Sequence, residues 1–169
     1  SQDKVDDAIK VLEDGIALVE GNYDYYFSLI HLYVKSGKMD EAFSFLNGIT
    51  NSPVKKKLAE RQPESIKADP APKAANEPLN IKLTSSKDTE IYYTIDGSTP
   101  TIKSKKYSKA IKITEKVTLK AFAINEDGII SNLFSGVYNV FNGTVKYPFS
   151  DNKIEKIVRA MLNKPTGNV

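Results

Sequence analysis

Cysteine is absent from this sequence, and histidine occurs once, at His31. The absence of cysteine excludes thiol catalysis, thiolate metal sites and disulfide bonds. A lone histidine lacks the further ligands of a metal site, and no positioned nucleophile accompanies it for general-base catalysis. We therefore expect a protein that is not an enzyme, with no cofactor and no catalytic, cofactor-binding or metal-binding residues.

Long hydrophobic runs are also absent, since none approaches the ~18 apolar residues of a membrane-spanning helix. Ser1 is not a natural start, so we expect an internal fragment, and a signal or an anchor could lie upstream of it. Contact with a membrane is expected only through such an anchor.

The net charge of +3 is unevenly distributed along the chain. Residues 1–50 carry four lysines and nine acidic residues, whereas residues 78–147 carry ten lysines and six acidic residues. This difference favours separate domains. The later lysines alternate with apolar residues, as in Ile111-Lys112-Ile113, which is typical of a solvated strand face. A patch that binds nucleic acid or another anionic polymer is the alternative. Arginine clusters and recognisable nucleic-acid folds are missing, so no nucleic-acid partner is expected.

Residues 1–61 are predicted to form antiparallel helices, because apolar residues recur there at helical spacing. The predicted helices span residues 3–20, 23–36 and 39–47, followed by a short closing helix over 54–60. Gly37 is placed to end the second helix. Short loops between helices imply antiparallel neighbours.

An internal repeat relates two of these helices. Asp7-Ala8 recurs as Glu41-Ala42, 34 residues later, and each alanine is followed four positions on by a leucine, Leu12 or Leu46. The pattern resembles a tetratricopeptide repeat, whose period is about 34 residues. The matching positions of one repeat are Tyr26, Leu29, Ile30, Tyr33, Gly37, Ala42, Leu46 and Ile49, with Ile30 departing from the glycine of the family. A generic helical bundle is the alternative.

The tetratricopeptide resemblance implies a groove that binds a protein or peptide segment. Its positions on the second helix fall on Asp24, Phe27, His31 and Lys35, or Val34. A groove-facing Phe27 would suit a peptide anchor. The alternative is that His31 is a helix histidine with no chemical role and that the aromatic residues around Phe27 serve packing.

Residues 62–78 are predicted to be a linker between two domains. Four prolines lie there among alanine, lysine and acidic residues, at Pro63, Pro70, Pro72 and Pro78. Such a composition is typical of an extended, semi-rigid segment. We therefore expect the two domains to be held apart rather than fused around a shared site.

Residues 79–146 are predicted to form a small antiparallel β-sandwich. Apolar residues alternate in runs of strand length, separated by turn signals at Asp96-Gly97 and Asp127-Gly128. The expected strands cover residues 79–83, 91–95, 107–113, 117–123 and 130–141. In the strand over 117–123, Leu119, Ala121 and Ala123 are expected to share one buried face.

The run from Ile91 to Pro100, Ile-Tyr-Tyr-Thr-Ile-Asp-Gly-Ser-Thr-Pro, is the most specific motif in the chain. With Ser104, Tyr107, the Thr118–Ala123 segment, Ser131 and Tyr138, it resembles the C-terminal domain of chitobiases and β-hexosaminidases. That resemblance implies a fibronectin-like antiparallel β-sandwich. It carries no hydrolase activity, because the catalytic acids of those enzymes lie in a separate domain.

Tyr92, Tyr93 and Tyr107 are the predicted binding residues of the sandwich surface. Tyr92 and Tyr93 point to opposite faces of their strand, so one is expected in the core, while the other, with Tyr107, could stack on a sugar ring. Asp96 is expected to bond its own turn backbone, since no D-x-D-x-D-G calcium loop is present.

Residues 147–169 are predicted to form a short C-terminal helix. Phe149 and Asp151 precede an apolar stripe that contains Ile154, Ile157 and Leu162, and Asn-Lys-Pro-Thr-Gly ends it. The segment resembles the N-terminal cap of bacterial leucine-rich repeats. The alternative is a helix that packs on the sandwich.

The sequence thus predicts an α+β multidomain protein: a tetratricopeptide-like helical repeat, a small antiparallel β-sandwich and a short helix. We expect a non-catalytic interaction fragment of a bacterial surface or exported protein, with the helices binding protein and the sandwich serving as spacer and platform. The alternative is a carbohydrate- or cell-wall-binding module, or the accessory region of a glycoside hydrolase.

Overall fold

The computed structural model describes residues 2–141 of the chain. The predicted C-terminal helix over 147–169, with its resemblance to a leucine-rich-repeat cap, lies outside the described residues. The last positions of the predicted β-domain, 142–146, lie outside them as well. Within the described part, four helices are followed by eight strands.

The helices are α1 (Gln2–Leu18), α2 (Tyr23–Ser36), α3 (Met39–Gly48) and α4 (Ser52–Arg61). Their bounds agree with the predicted bounds to within two residues. Asn22 and Asn51 cap α2 and α4, because their side chains accept the free backbone N–H groups of Asp24 and Val54. Gly37 ends α2 in the left-handed conformation, with φ of 80°.

Helix α2 is the centre of the helical layer and packs against α1, α3 and α4. Four of its positions matched to the repeat are buried, namely Tyr26, Leu29, Ile30 and Tyr33. Ala42 of α3 is fully buried, as close helix packing requires, whereas Phe45 and Leu46 are half-buried. The presence of the helices is therefore confirmed, and their assignment as a tetratricopeptide repeat stays a prediction.

The strands form two sheets, one of three strands in the order β1-β3-β6 and one of five in the order β2-β8-β7-β4-β5. The bounds of the strands are β1 (Lys67–Asp69), β2 (Ala74–Ala75), β3 (Leu79–Thr84), β4 (Glu90–Thr94), β5 (Lys105–Lys106), β6 (Ile111–Ile113), β7 (Val117–Ile124) and β8 (Phe134–Val140). Strand β2 runs parallel to β8, while the other pairs are antiparallel. The prediction of a wholly antiparallel sandwich is therefore wrong at β2.

The predicted linker over 62–78 contains two of these strands. Strand β1 pairs with β3, β2 pairs with β8, and Ile66 is buried in the core of the sandwich. The prolines do favour an extended backbone, but an extended chain also fits the edge of a sheet, where the missing N–H group faces away from the ladder. The stretch is therefore largely a part of the sandwich.

The two sheets enclose an apolar core. Strand β7 contributes Leu119, Ala121 and Ala123 to it, on the single face that the period-two pattern predicted. Tyr138 of β8 is fully buried, and its hydroxyl donates a hydrogen bond to the carbonyl oxygen of Pro70 at 2.9 Å. Burial raises the pKa of Tyr138 above its usual value.

The helical layer packs against the outer face of the five-stranded sheet. Phe122 points out of that face and joins the apolar core of the helices, together with Ile130. Phe43 of α3 is not among the positions matched to the repeat, and it is buried against Phe122. The five-stranded sheet is therefore the middle of three layers, and the expectation of two domains held apart is wrong.

Polar contacts join the same two layers. Arg61 at the end of α4 forms an ion pair of 2.9 Å with Asp127, and the backbone carbonyl of Arg61 accepts from the side-chain amide of Asn125. The hydroxyl of Thr99 donates to a carboxylate oxygen of Asp40 at 2.7 Å. Contacts at both ends of the interface leave the helices and the sandwich as one packed unit.

Candidate binding sites

Three of the four predicted groove residues line one apolar groove on the helical layer. Phe27, His31 and Lys35 are four residues apart along α2, so they share one face of the helix. Together with Leu12 of α1 and two further residues of α2 they line a cavity of about 340 Å³, a region we call the helical groove. Its lining residues are Leu12, Phe27, Ser28, His31, Leu32 and Lys35. Asp24 is exposed one turn earlier and does not line the groove.

Phe27 forms the aromatic end of the helical groove. It stacks on Tyr23, with ring centroids 6.1 Å apart, and it lies 6.2 Å from the ring of His31. The guanidinium of Arg61 lies 5.7 Å from its centroid. The ring of Phe27 thus packs against three neighbouring side chains and is half-buried. A ring in such a position suits an anchor for an apolar side chain.

His31 lies between the helical groove and a second cavity. Its Nδ1 atom is buried and has no hydrogen-bond partner within the described residues. Gly128 faces this ring so closely that a Cβ atom at position 128 would lie 2.6 Å from Nδ1. Gly128 also has φ of 79°, so both the conformation and the space at this position favour glycine.

The second cavity, which we call the junction cleft, lies where the helices meet the five-stranded sheet. It encloses about 400 Å³ and carries both charge signs on an apolar wall. Its lining residues are His31, Val34, Lys35, Asp88, Glu90, Tyr92, Ile102, Ile124, Asn125, Glu126 and Gly128. Such a mixture of an apolar wall and a few polar groups is typical of ligand pockets.

Glu90 in the junction cleft is already engaged by its neighbours. Its carboxylate accepts from Lys106 at 2.6 Å and from the hydroxyl of Tyr92 at 2.7 Å. These two hydrogen bonds lower the pKa of Glu90, and the hydrogen bond to Glu90 raises the pKa of Tyr92. Glu90 is therefore ionised and fixed in place, which suits a structural anion better than a general acid.

The three tyrosines predicted on the sandwich surface lie in different environments. Tyr92 is half-buried on the helix side of the sheet and stacks on Phe122, with centroids 5.7 Å apart. Tyr93 points to the opposite face and is 7% exposed, so its prediction as a surface residue is corrected to a core residue. Tyr107 is half-buried and packs edge to face on Tyr93. The three rings do not form one surface for stacking on a sugar.

The turn after β4 is built as the motif predicts. One carboxylate oxygen of Asp96 accepts from the backbone N–H of Ser98 at 3.0 Å and from the Ser98 hydroxyl at 2.6 Å, which lowers the pKa of Asp96. Gly97 has the positive φ of 82° that this turn requires. Asp96 thus bonds its own turn. In residues 2–141, no group of three or more acidic, histidine or cysteine side chains is suited to hold a metal ion.

The junction cleft was not predicted from the sequence. Asp88, Glu126 and Gly128 belong to loops of the sandwich, and they meet His31 only because the helices pack on the sheet. The sequence did indicate a turn at Asp127-Gly128, but it did not indicate that this turn lies against His31. Among the described residues, no helix is long and apolar enough to cross a membrane.

These features define a helical layer packed on a two-sheet β-sandwich, with the helical groove on the helices and the junction cleft at the joint. A family model described as the chitobiase/β-hexosaminidase C-terminal domain matches residues 70–135, which confirms the resemblance of the β-domain. The match begins at residue 70, inside the stretch predicted as a linker, and it includes strand β2.

A solved structure of fibronectin(III)-like modules of CbhA from Clostridium thermocellum is similar to this chain at 24% identity, with a TM-score of 0.31. The similarity covers 44% of this chain and 94% of that chain. No curated protein matches this chain significantly.

Proposed function

We propose that this chain is a non-catalytic binding module, in which the helical groove holds a segment of a partner protein and the sandwich is its platform. The observation that carries the proposal is the row of Phe27, His31 and Lys35, which lines one half-open apolar groove. The helices that carry the groove share an apolar core with Phe122 and Ile130 of the sandwich, so the sandwich supports the groove.

The lining of the helical groove indicates the chemistry of the segment that it would hold. Leu12, Phe27 and Leu32 offer an apolar surface, and Lys35 offers an ammonium group at one end. A leucine or phenylalanine side chain would bury its surface against the three apolar residues. An acidic residue next to it would pair with Lys35. We therefore propose a segment with an apolar anchor followed by acidic residues.

The match of residues 70–135 supports a wider setting for the module. That family is named for a domain at the C-terminus of chitobiases and β-hexosaminidases, so we propose that this chain is an accessory region of an exported or surface-exposed bacterial protein. A carbohydrate-active partner domain would fit the same setting.

The junction cleft favours a second candidate, the binding of a neutral glycan. Tyr92, Ile102 and Ile124 form an apolar wall, and the carboxylates of Asp88 and Glu126 could accept hydrogen bonds from sugar hydroxyls. In this candidate the sugar would bind inside the junction cleft against Tyr92, whereas the sequence led us to expect a sugar ring to stack on an exposed tyrosine.

Chemical-shift mapping on the isotope-labelled chain separates the two candidates. The probes are short synthetic peptides with a leucine or phenylalanine followed by two acidic residues, the same peptides with lysines in place of the acids, and chito-oligosaccharides. We expect the acidic peptides to shift the amides of α1 and α2 around the groove. The absence of such shifts with every peptide would refute the proposal of a peptide groove.

Matched variants sharpen this test. Lys35→Glu should weaken binding of the acidic peptides at least about tenfold and favour the lysine peptides, because the ion pair becomes a repulsion. Lys4→Glu changes the net charge equally at an exposed position of α1 outside the groove and should have little effect. Chito-oligosaccharide shifts around Tyr92 that disappear in the Asp88→Asn/Glu126→Gln variant would instead support the glycan candidate.

A further inference from the structure

A third cavity lies at the open side of the sandwich, away from the helices. It encloses about 410 Å³, within the roughly 300–1,000 Å³ range of ligand pockets. It forms where β5, an edge of the five-stranded sheet, meets β6, an edge of the three-stranded sheet. Four lysines line it, namely Lys105 and Lys106 on β5, Lys109 on the connection and Lys112 on β6. We call it the lysine cleft.

Three of these four lysines have no acidic partner among residues 2–141. Lys106 pairs with Glu90 at 2.6 Å. For Lys105, Lys109 and Lys112, no carboxylate of residues 2–141 lies within ion-pair distance. The ammonium group of Lys105 instead lies 5.8 Å from the centroid of Tyr93. A concave wall with uncompensated charge of one sign concentrates ions of the opposite sign.

Lysines on sheet edges also discourage pairing with the edges of other chains. That role requires charge along an exposed edge, but it does not require lysines of two different sheets to line one cavity. The sequence could not show this convergence, because Lys105 and Lys112 belong to strands that are not paired with each other. The cavity therefore favours a bound anion over a purely solvated face.

We propose that the lysine cleft binds an acidic polysaccharide, a sugar chain that carries repeated carboxylate or sulfate groups. Repeated anionic groups match several separate ammonium groups, each of which acts as a point charge. The hydroxyl of Ser108 and the outer edge of β6, which pairs with no other strand among residues 2–141, add hydrogen-bonding groups for sugar hydroxyls.

Nucleic acid fits this cleft less well. Residues 79–141 contain no arginine, so the bidentate contacts that guanidinium groups make with phosphates and bases are missing. The aromatic rings at this side, Tyr93 and Tyr107, pack on each other with centroids 6.4 Å apart. Tyr93 is 7% exposed and therefore offers no open face on which a base could stack.

The test uses the whole chain with four probes: oligogalacturonate, dextran sulfate, neutral dextran and a single-stranded oligothymidylate. We expect both acidic glycans to bind, with an affinity that falls as salt is raised, because exposed charges are screened. Neutral dextran should not bind. Failure of both acidic glycans to bind at about 0.15 M salt would overturn the proposal. Tighter binding of oligothymidylate through the same lysines would also overturn it, in favour of nucleic acid.

Two triple variants with the same net charge locate the site. Lys105→Gln/Lys109→Gln/Lys112→Gln should weaken binding of the acidic glycans about tenfold, since each exposed ion pair contributes modestly. Lys73→Gln/Lys87→Gln/Lys116→Gln removes three exposed lysines that do not line the cleft and should change affinity less than about twofold. Equal losses in both variants would show attraction by net charge alone and would refute the site. Unchanged melting temperatures exclude unfolding as the cause.

Discussion

Phe43 of α3 and Phe122 of β7 meet edge to face across the joint between the helices and the sandwich, with ring centroids 5.7 Å apart and ring planes at 74°. Phe122 stacks in addition on Tyr92 of the neighbouring strand. Phe122 is fully buried and Phe43 is nearly so. Edge-to-face aromatic pairs contribute beyond the area they bury, so this contact is expected to be central to the joint.

The Phe43→Ala variant should therefore lose about 3–5 kcal/mol of unfolding free energy, the usual cost of truncating a buried phenylalanine. Urea unfolding followed by circular dichroism measures the loss. Phe141→Ala is the control, because Phe141 is 49% exposed, and it should change stability by less than about 0.5 kcal/mol. A stability loss for Phe43→Ala as small as for the control would show that the helices contribute little through this joint.

Gly128→Ala should be clearly more destabilising than Gly37→Ala. Both glycines have φ near 80°, so alanine meets a similar backbone cost of about 1–2 kcal/mol at each. At position 37 nothing lies within 4 Å of the added Cβ, whereas at position 128 the ring of His31 lies 2.6 Å away. Urea unfolding measures the loss of unfolding free energy in each variant. The difference between the two losses reports the cost of the close contact between the turn and α2.

The same close approach can be tested by a double-mutant cycle. His31→Ala removes the ring that the new methyl group would meet, so Gly128→Ala should cost less in the His31→Ala background than in the wild type. Additive effects of the two substitutions would mean that the turn does not press on His31 in solution.

Ser131→Ala should destabilise the sandwich by about 1–3 kcal/mol, because it removes the hydroxyl that accepts from the buried backbone N–H of Ala123. The hydroxyl of Ser131 accepts from the backbone N–H of Ala123 at 2.9 Å and donates to the carbonyl oxygen of Asn132. Ser135→Ala on exposed β8 surface is the matched control and should be nearly neutral. Thermal unfolding of both variants provides the comparison, and equal melting temperatures would contradict the assigned role of the hydroxyl.

The raised pKa of Tyr33 predicts that the protein loses stability at alkaline pH. Burial raises its pKa to about 12, and the hydrogen bond to Glu13 contributes in the same direction. The folded chain therefore keeps a proton that the unfolded chain releases near pH 10, so the free energy of unfolding should fall between about pH 10 and pH 12.

The Tyr33→Phe variant should reduce this alkaline slope by at most about 1.4 kcal/mol per pH unit, the value for one proton. Glu13→Gln should reduce it less, since burial is the larger cause and remains in place. Urea unfolding at a series of alkaline pH values measures the slopes. A slope for Tyr33→Phe identical to that of the wild type would mean that Tyr33 titrates normally in the folded chain.

Local patterns predicted the individual elements well. The spacing of apolar residues placed the helices to within two residues, and the alternation in β3, β4 and β7 placed the longer strands. The two-residue strands β2 and β5 were missed, because two residues are too short to show a period. Strand β1 was missed because it lies in the proline-rich stretch. Prolines favour an extended backbone, but they do not show whether that backbone pairs with another strand.

The relation between the domains could not be predicted from local patterns. Strand β7 carries Leu119, Ala121 and Ala123 on one face, and this regular alternation concealed that Phe122 on the other face is equally buried. Phe43 on α3 was overlooked as well. Phe43 and Phe122 are buried by each other, and a local pattern cannot reveal a contact between residues so far apart in the sequence. For the site, the tetratricopeptide resemblance grouped Phe27, His31 and Lys35, which lie on one face of α2, and their role in binding stays a prediction. The junction cleft depends on long-range packing.

The direct packing of helices on the sheet has a consequence for ligands that reach two cavities at once. The helical groove and the lysine cleft lie on two layers that share a buried apolar contact, so we expect the span between the two cavities to vary little. A partner whose two epitopes match this span would gain avidity through a high effective concentration, and a mismatched one would gain none. The packing of the helices on the sheet would then select partners by the distance between their two epitopes.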